Sequence, residues 1–117
     1  MATATAKKNF LRIAPRKVRL VADMVRGKKV SLARDILAFN PREAAGALKK
    51  LLNAAAANAE AKAAEKRERI NTDNMVITMI QVDGGPTTYR FRPAPRGRAL
   101  PARKRTSHVT IIISDAK

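Results

Sequence analysis

The chain has no cysteine and no tryptophan, and it has one histidine and four other aromatic residues among its 117 positions. The absence of cysteine excludes a disulfide framework and every cysteine-based zinc site. With His108 as the single histidine, neither a multi-histidine metal site nor a histidine-based catalytic triad with a spare ligand can form. The nine carboxylates are scattered along the chain. We therefore expect a protein that is not an enzyme, with no metal or other cofactor.

Long apolar runs are also absent. No segment approaches the roughly 18 consecutive apolar residues of a membrane span, and the first eight residues lack the apolar core of a signal peptide. We therefore expect a soluble, cytoplasmic protein that binds no membrane. Its core must consist mainly of Val, Ile, Leu, Met and Ala, because so few aromatic residues are available.

Carboxylates are missing from one long segment, Gly84 to His108, which carries seven Lys or Arg residues. Residues 7–29 carry nine more against Asp23 alone, whereas residues 30–83 are nearly balanced, with eight cations and seven carboxylates. The net charge is +16 and the isoelectric point is about 11.5. Two basic blocks on one small chain indicate a polyanionic partner, and nucleic acid is the obvious one.

Three helices are predicted after a weak first strand at residues 4–13. Pro15 suits the first turn of helix one, whose Val18, Val21, Ala22 and Val25 recur at helical spacing, and Gly27 is a left-handed stop. Ser31 is predicted to cap helix two, which ends near Phe39. Asn40-Pro41-Arg42-Glu43 predicts the start of a long, alanine-rich third helix with Asn40 as its cap.

Two β-like runs, residues 75–82 and 109–113, flank the carboxylate-free segment and predict one very long β-hairpin. Its legs meet near Pro95-Arg96, which gives an arm on the order of 40 Å at about 3.3 Å per residue. Gly84-Gly85-Pro86 indicates a bulge or bend that redirects the arm. Because prolines lack a backbone donor, we expect Pro86, Pro93, Pro95 and Pro101 to prevent a regular ladder and to leave the tip an irregular, stiff loop.

The fold class that follows is α+β: three helices packed on a small three-stranded antiparallel sheet, with a long protruding β-hairpin arm. We expect a single domain over residues 1–117, with a globular body at about 1–83 and 108–117 and the arm at about 84–107. Tyr89 and Phe91 alternate with Arg90 and Arg92, so they either stack on unpaired bases or pack at the neck of the arm. Two rings are too few for an aromatic RNA-binding sheet, which favours recognition of folded RNA by shape and phosphate.

Two other functions compete with RNA binding. An architectural DNA-binding protein would insert the arm into the minor groove with Pro93 or Pro95 as a wedge, but it leaves the basic first helix without a task. A cationic peptide on a membrane surface would use helix one, but that helix lacks bulky aromatic anchors and the arm stays unexplained.

Several segments resemble the bacterial-type family of ribosomal large-subunit protein L22. They are IAPRKVRLVADMVRGKK at residues 13–29, NAAAANAE at 53–60, VDGGP at 82–86, RGRA at 96–99 and KRTSHVT at 104–110. They follow the order of the family and span nearly the whole chain. The resemblance implies a structural constituent of the large ribosomal subunit that binds its rRNA, aids its assembly and lines the nascent-peptide exit tunnel with its hairpin.

The implied partners are large-subunit rRNA, neighbouring ribosomal proteins and the nascent polypeptide, with no small-molecule substrate and no homo-oligomer. The residues expected to bind rRNA are Lys8, Arg12, Arg16, Lys17, Arg19, Arg26, Lys28, Lys29, Arg90, Arg92, Arg96, Arg98, Arg103, Lys104, Arg105, Ser107 and His108. For His108, the alternative is a strand residue with a structural role. The hairpin tip expected to line the tunnel comprises Arg92, Pro93, Ala94, Pro95, Arg96, Gly97, Arg98 and Ala99.

Overall fold

The computed structural model describes residues 3–115, and it confirms the α+β class. The elements in chain order are β1 (Thr3–Leu11), α1 (Pro15–Val25), α2 (Val30–Ala38), α3 (Glu43–Glu65), β2 (Val76–Gly84), β3 (Thr88–Pro93), β4 (Ala99–Lys104) and β5 (Ser107–Ser114). Short 3-10 turns occupy Thr72–Asn74 and Pro95–Gly97. No helix within residues 3–115 combines the length and the apolar character that crossing a bilayer requires.

The strands form two separate antiparallel sheets. In the body, β5 lies between β1 and β2, which gives the order β1-β5-β2. The arm consists of β3 and β4 alone, which continue β2 and β5 beyond the body. The molecule measures 67 × 26 × 17 Å along its principal axes, so the arm makes it far longer than it is wide. The predicted protruding hairpin is confirmed.

The core lies between the three-stranded sheet and the helices. The predicted inner face of α1 is fully buried at Val18, Val21, Ala22 and Val25. The inner face of α3 is buried throughout, with leucines in its first half and alanines in its second half, where the helix lies against β1. Small side chains let the helix approach the sheet closely, and this packing offsets the missing aromatic residues.

Strand β2 departs from the strict alternation that its sequence shows. Met75 and Ile77 are buried, but so are Ile80 and Val82, which belong to the opposite set. The pairing with β5 shifts between Ile77 and Met79, where Thr78 is an extra residue whose hydroxyl donates to the Ile112 carbonyl. This β-bulge adds one residue to the strand and so reverses which alternate residues face the helices. Met75 and Ile77 therefore face the core before the bulge, and Ile80 and Val82 face it after the bulge.

Two predicted helix starts are wrong. Helix α2 begins at Val30 without a side-chain cap, because the Val30 N–H donates to the Met75 carbonyl and that tertiary bond fixes the start before Ser31. Helix α3 begins at Glu43 rather than at Pro41. Asn40 instead accepts a hydrogen bond from the Arg42 N–H at 2.9 Å, which is a local Asx turn that ends where the helix begins.

Both outer edges of the body sheet are partly covered by other elements. Along β1, the Asn58 side chain of α3 donates to the Thr5 carbonyl at 2.9 Å and Lys62 donates to the Thr3 carbonyl at 3.3 Å. Along β2, the segment after α1 pairs with the start of the strand, and Gly27, with φ +78°, takes the left-handed conformation predicted for it. Backbone groups that are occupied in this way are not available to pair with a further strand.

Candidate nucleic-acid interface

The neck that joins the body to the arm is a one-residue bulge. The β2–β5 ladder ends at Gly84 and Ser107, and the β3–β4 ladder begins at Thr88 and Lys104, so three residues on one leg oppose two on the other. The Gly85 N–H donates to the Thr106 carbonyl at 2.9 Å, and the Thr106 hydroxyl donates to the Pro86 carbonyl at 2.6 Å. These bonds define a hydrogen-bonded joint at the position where the sequence predicts a bend.

The arm itself is more regular than its prolines predict. The ladder runs without a break from Thr88–Lys104 to Pro93–Ala99, and it includes Pro101 opposite Phe91. The expectation that the prolines prevent a regular ladder is therefore wrong for Pro93 and Pro101, whereas Pro86 and Pro95 lie outside the ladder, at the neck and at the tip. In a two-stranded ribbon, alternate N–H groups point away from the partner strand, so a proline at such a position costs no ladder bond.

Cross-strand pairing sorts the arm's side chains onto two faces. Residues paired across a ladder lie on the same face, and successive residues alternate. Tyr89 and Phe91 therefore share a face with Arg103 and Pro101, while Arg90 and Arg92 share the other face with Lys104. The two rings are 68% and 77% exposed, so packing at the neck is not their role.

At the tip, five residues join the two strands. The Ala94 N–H donates to the Arg98 carbonyl at 2.7 Å, and between them Arg96 and Gly97 have φ of +64° and +72°. Two successive left-handed residues reverse the chain within a narrow turn. The tip occurs where the sequence predicts it, and every cation from Arg90 to Arg105 is exposed.

Two clefts connect the neck to α1, and cations dominate both. The α1 cleft, about 660 Å³, lies between the N-terminal half of α1 and the returning leg of the arm. The neck cleft, about 530 Å³, lies beside it and shares Ala14, Lys17 and Arg105 with it. We call the cations of both clefts the basic track: Arg12, Arg16, Lys17, Arg19, Arg90, Arg103, Lys104 and Arg105. Glu43 is the one carboxylate that lines either cleft in the part of the chain that the structure describes.

The fold brings together residues that are about 90 positions apart in sequence. The first basic block supplies Arg12 to Arg19, and the second supplies Arg90 to Arg105. The ion pairs of Arg26 with Asp23 and of Arg34 with Asp73 do not involve the track. The track is thus a band of exposed positive charge around the neck, which suits the phosphates of a nucleic acid.

Two candidate cations also have structural roles. Arg19 donates from Nε and Nη2 to the Val82 carbonyl at 3.3 and 3.0 Å, and Arg26 donates to the Ile80 carbonyl at 3.0 Å. Both carbonyls belong to β2, an edge strand of the body sheet. Lys28 and Lys29 follow α1 and are exposed, as is Lys8 on β1. Arg26, Lys28 and Lys29 line neither cleft.

Ser107 does not fit the expected contact set. Its side chain is fully buried, and its hydroxyl donates to the Ile13 carbonyl at 2.6 Å. This bond ties the start of β5 to the loop before α1, so we reassign Ser107 to the support of the neck. The sequence shows the motif around Ser107, but it does not show that the side chain is buried against Ile13, a residue 94 positions away.

His108 also makes internal contacts. Its Nδ1 accepts a hydrogen bond from the Phe10 N–H at 3.1 Å, and its ring meets the Phe10 ring edge-on at 5.0 Å between centroids. These contacts favour the structural alternative weighed for this residue. No group of three or more His, Cys, Asp or Glu side chains within residues 3–115 is arranged to hold a metal ion.

A third depression extends this surface and was missed by sequence reasoning. The β1–α3 groove, about 670 Å³, adjoins the neck cleft and shares Arg12, Ile13 and Glu43 with it. It adds Lys7 and Lys50 to the exposed cations. Lys50 lies in the charge-balanced middle of the chain, so charge counting gives no signal for it.

Comparison with known proteins assigns this architecture to a family. The sequence profile of the family described as "Ribosomal protein L22p/L17e" matches residues 6–114. The chain belongs to this family. The predicted family resemblance is confirmed, and with it the prediction of a ribosomal protein.

Relatives within the family match over nearly their full length. "Large ribosomal subunit protein uL22" of Geobacter sulfurreducens is 47% identical over 112 residues, which cover 96% of each chain. The protein of the same name from Myxococcus xanthus is 42% identical over 114 residues, covering 97% of each chain. That of Pediococcus pentosaceus is 47% identical over 114 residues, covering 97% of this chain and 91% of its own.

Proposed function

We propose that this chain, as a structural protein of the large ribosomal subunit, binds the subunit's rRNA through the basic track and extends its arm into the nascent-peptide exit tunnel. The observation that carries the proposal is the convergence of both basic blocks on one continuous surface at the neck. A membrane-surface peptide would need only α1, and a minor-groove arm would need only the hairpin. A surface made of both elements fits a folded RNA that contacts several faces at once.

The physical role of the track is to neutralise phosphates. RNA segments that approach one another repel, and exposed cations between them lower that repulsion and release condensed counterions. Arginine predominates on the arm, and its planar fork bridges two phosphates or stacks on a base. Because the track joins body and arm, it would hold distant RNA segments in one geometry during assembly. No chemical step is involved, so we propose a non-enzymatic role.

The arm suits a narrow passage. It is a ribbon of two strands with small residues, Ala94 and Gly97, at a tight tip. We propose that residues 92–99 line the tunnel wall and meet the nascent polypeptide, while Arg90 to Arg105 hold the arm to surrounding rRNA. The body, residues 1–83 and 108–117, would remain on the rRNA and neighbouring ribosomal proteins outside, as a single copy per subunit.

The RNA interface is tested by the salt dependence of binding to a large-subunit rRNA fragment. Arg103→Gln/Arg105→Gln should lower the slope of log affinity against log salt by about 1.4 to 1.8, since each phosphate contact contributes about 0.7 to 0.9. The matched control is Arg67→Gln/Arg69→Gln, which removes the same charge from exposed residues outside both clefts. Equal slopes for the two variants, or equal competition by duplex DNA, would contradict the proposed interface.

The tunnel placement needs a separate test. A photo-crosslinking amino acid at Arg96, at the tip, should crosslink to nascent chains in translating ribosomes. The same group at Arg67 should not. Crosslinks to nascent chain from both positions, or from neither, would refute the placement and leave RNA binding by the track intact.

A further inference from the structure

The β1–α3 groove differs in character from the clefts beside it. Its floor is apolar and its rim is charged, which is the arrangement of a ligand site rather than of a phosphate-only surface. The rim carries four cations and one carboxylate: Lys7, Lys8, Arg12, Lys50 and Glu43. The floor is formed by Leu11, Ile13, Gly46, Ala47, Leu51 and Ala54. Its volume of about 670 Å³ lies within the range of about 300 to 1,000 Å³ typical of small-molecule sites.

Gly46 lies on the floor of this groove and adds free volume to it. It lies inside α3, where glycine weakens a helix relative to alanine. A Cβ added there would meet no atom of the described chain within 4 Å. No packing contact within residues 3–115 therefore requires glycine at this position. The lack of a side chain leaves free volume on the floor of the groove.

The position of the groove indicates what occupies it. It shares Arg12, Ile13 and Glu43 with the neck cleft, so the basic track leads directly into it. A polyanion that follows the track reaches the groove with phosphates at Arg12, and the lysines of the rim continue the cationic path. A separate acidic protein segment would have to share the same cations with the RNA. Continuity and charge therefore favour RNA as the occupant.

We propose that the groove takes an unpaired nucleobase of the RNA bound on the basic track. The base lies against Leu11, Ile13 and Leu51, while its flanking phosphates contact the rim lysines. Among residues 3–115, no aromatic side chain lines the groove, so the contact is apolar packing of the base face rather than ring stacking. This inference rests on the proposed rRNA binding and adds a specific recognition site to it.

The test compares two probes of equal charge. One is a single-stranded oligoadenylate of about ten nucleotides, and the other is an abasic ribose-phosphate chain of the same length. The full chain should bind the oligoadenylate about fivefold more tightly, which is the factor that burial of roughly 40 Å² of apolar surface provides. Gly46→Leu, which fills the groove with a better helix former, should abolish this preference.

Two control variants separate groove filling from general effects. Gly46→Ala improves the helix and leaves most of the groove open, and Ala57→Leu places the same bulk on α3 at an exposed residue outside the groove. Both should keep the fivefold preference, and all variants should share one salt slope because no charge changes. Circular dichroism confirms that each variant is folded.

Three results would overturn the inference. If the unmodified chain bound the two probes equally tightly, the groove would not bind a nucleobase, and the salt-dependent binding of phosphates would be unaffected. An unchanged preference in Gly46→Leu would place base recognition elsewhere. Binding of a peptide rich in glutamate and leucine that Gly46→Leu alone abolishes would assign the groove to a protein partner. A flat salt dependence with both probes would instead overturn the proposed RNA binding itself.

Discussion

The neck makes the sharpest prediction, because it leaves no room for a side chain at Gly85. An ideal Cβ there would lie 2.5 Å from the Thr106 hydroxyl oxygen and 3.2 Å from His108 Nε2. In Gly85→Ala, Thr106 must therefore rotate away and lose its hydrogen bond to the Pro86 carbonyl. His108, whose other nitrogen accepts from the Phe10 N–H, must shift by a few tenths of an ångström.

The magnitude follows from two opposing terms. Overpacking of this kind costs about 1 to 3 kcal/mol, and the lost hydrogen bond is part of that cost. Replacing glycine with alanine also restricts the unfolded chain, which returns about 0.4 to 1 kcal/mol. We expect Gly85→Ala to lower the free energy of unfolding by about 1 kcal/mol, which corresponds to a fall in Tm of about 4 °C for a chain of this size.

Thermal unfolding of four chains checks this reasoning: unmodified, Gly85→Ala, Thr106→Ala and the double variant. Thr106→Ala removes the oxygen that the new methyl group meets. The double variant should therefore be more stable than the sum of the single effects, with a coupling of about 0.5 kcal/mol or more. A Gly85→Ala chain as stable as the unmodified one, or strict additivity, would show that the neck is not packed as described.

Four other substitutions probe the support of the interface and the core beneath it. Ser107→Ala removes a fully buried hydrogen bond to the Ile13 carbonyl and should cost about 1 to 3 kcal/mol in urea unfolding; a smaller change than 0.5 kcal/mol would contradict its supporting role. Leu52→Ala opens a cavity in the core and should cost about 2 to 5 kcal/mol, whereas Leu20→Ala, at a half-exposed position, should stay within about 0.5 kcal/mol. Arg19→Met removes two hydrogen bonds to the Val82 carbonyl at the β2 edge. It should therefore lower the free energy of unfolding by about 0.5 to 1.5 kcal/mol and also weaken RNA binding. An effect on RNA binding alone would show that these two hydrogen bonds do not stabilise the fold.

Periodicity and composition predicted most of the fold. The inner faces of α1 and α3 and the returning strand β5 are buried as predicted. Apolar residues that recur every 3.6 positions in a helix or every two positions in a strand lie on one side, and that side must face the core. The bend at the neck and the position of the tip followed from glycine and from counting residues along the two legs. Periodicity, turn residues and the length of each leg are local properties of the chain, so they can be read from the sequence.

The errors arose where distant contacts outweighed local preference. The bulge at Thr78 and the start of α2 both depend on pairing partners far along the chain, Ile112 and Met75. Pro101 was expected to disrupt a ladder that it joins, because sequence does not show which N–H groups point outward. The burial of Ser107 depends on the loop before α1, and the cationic rim that includes Lys50 depends on how α3 and β1 are placed together.

The central claim is that the arm is completed by surrounding RNA, and amide hydrogen exchange tests it most directly. The arm contributes no residue to the buried core among residues 3–115, so its ladder has little apolar packing to hold it in water. We predict fast exchange of the amides at residues 88–104 in the free chain and strong protection of the same amides in purified large ribosomal subunits, with β5 protected in both. Slow exchange of the arm in the free chain, or fast exchange within the subunit, would contradict the account.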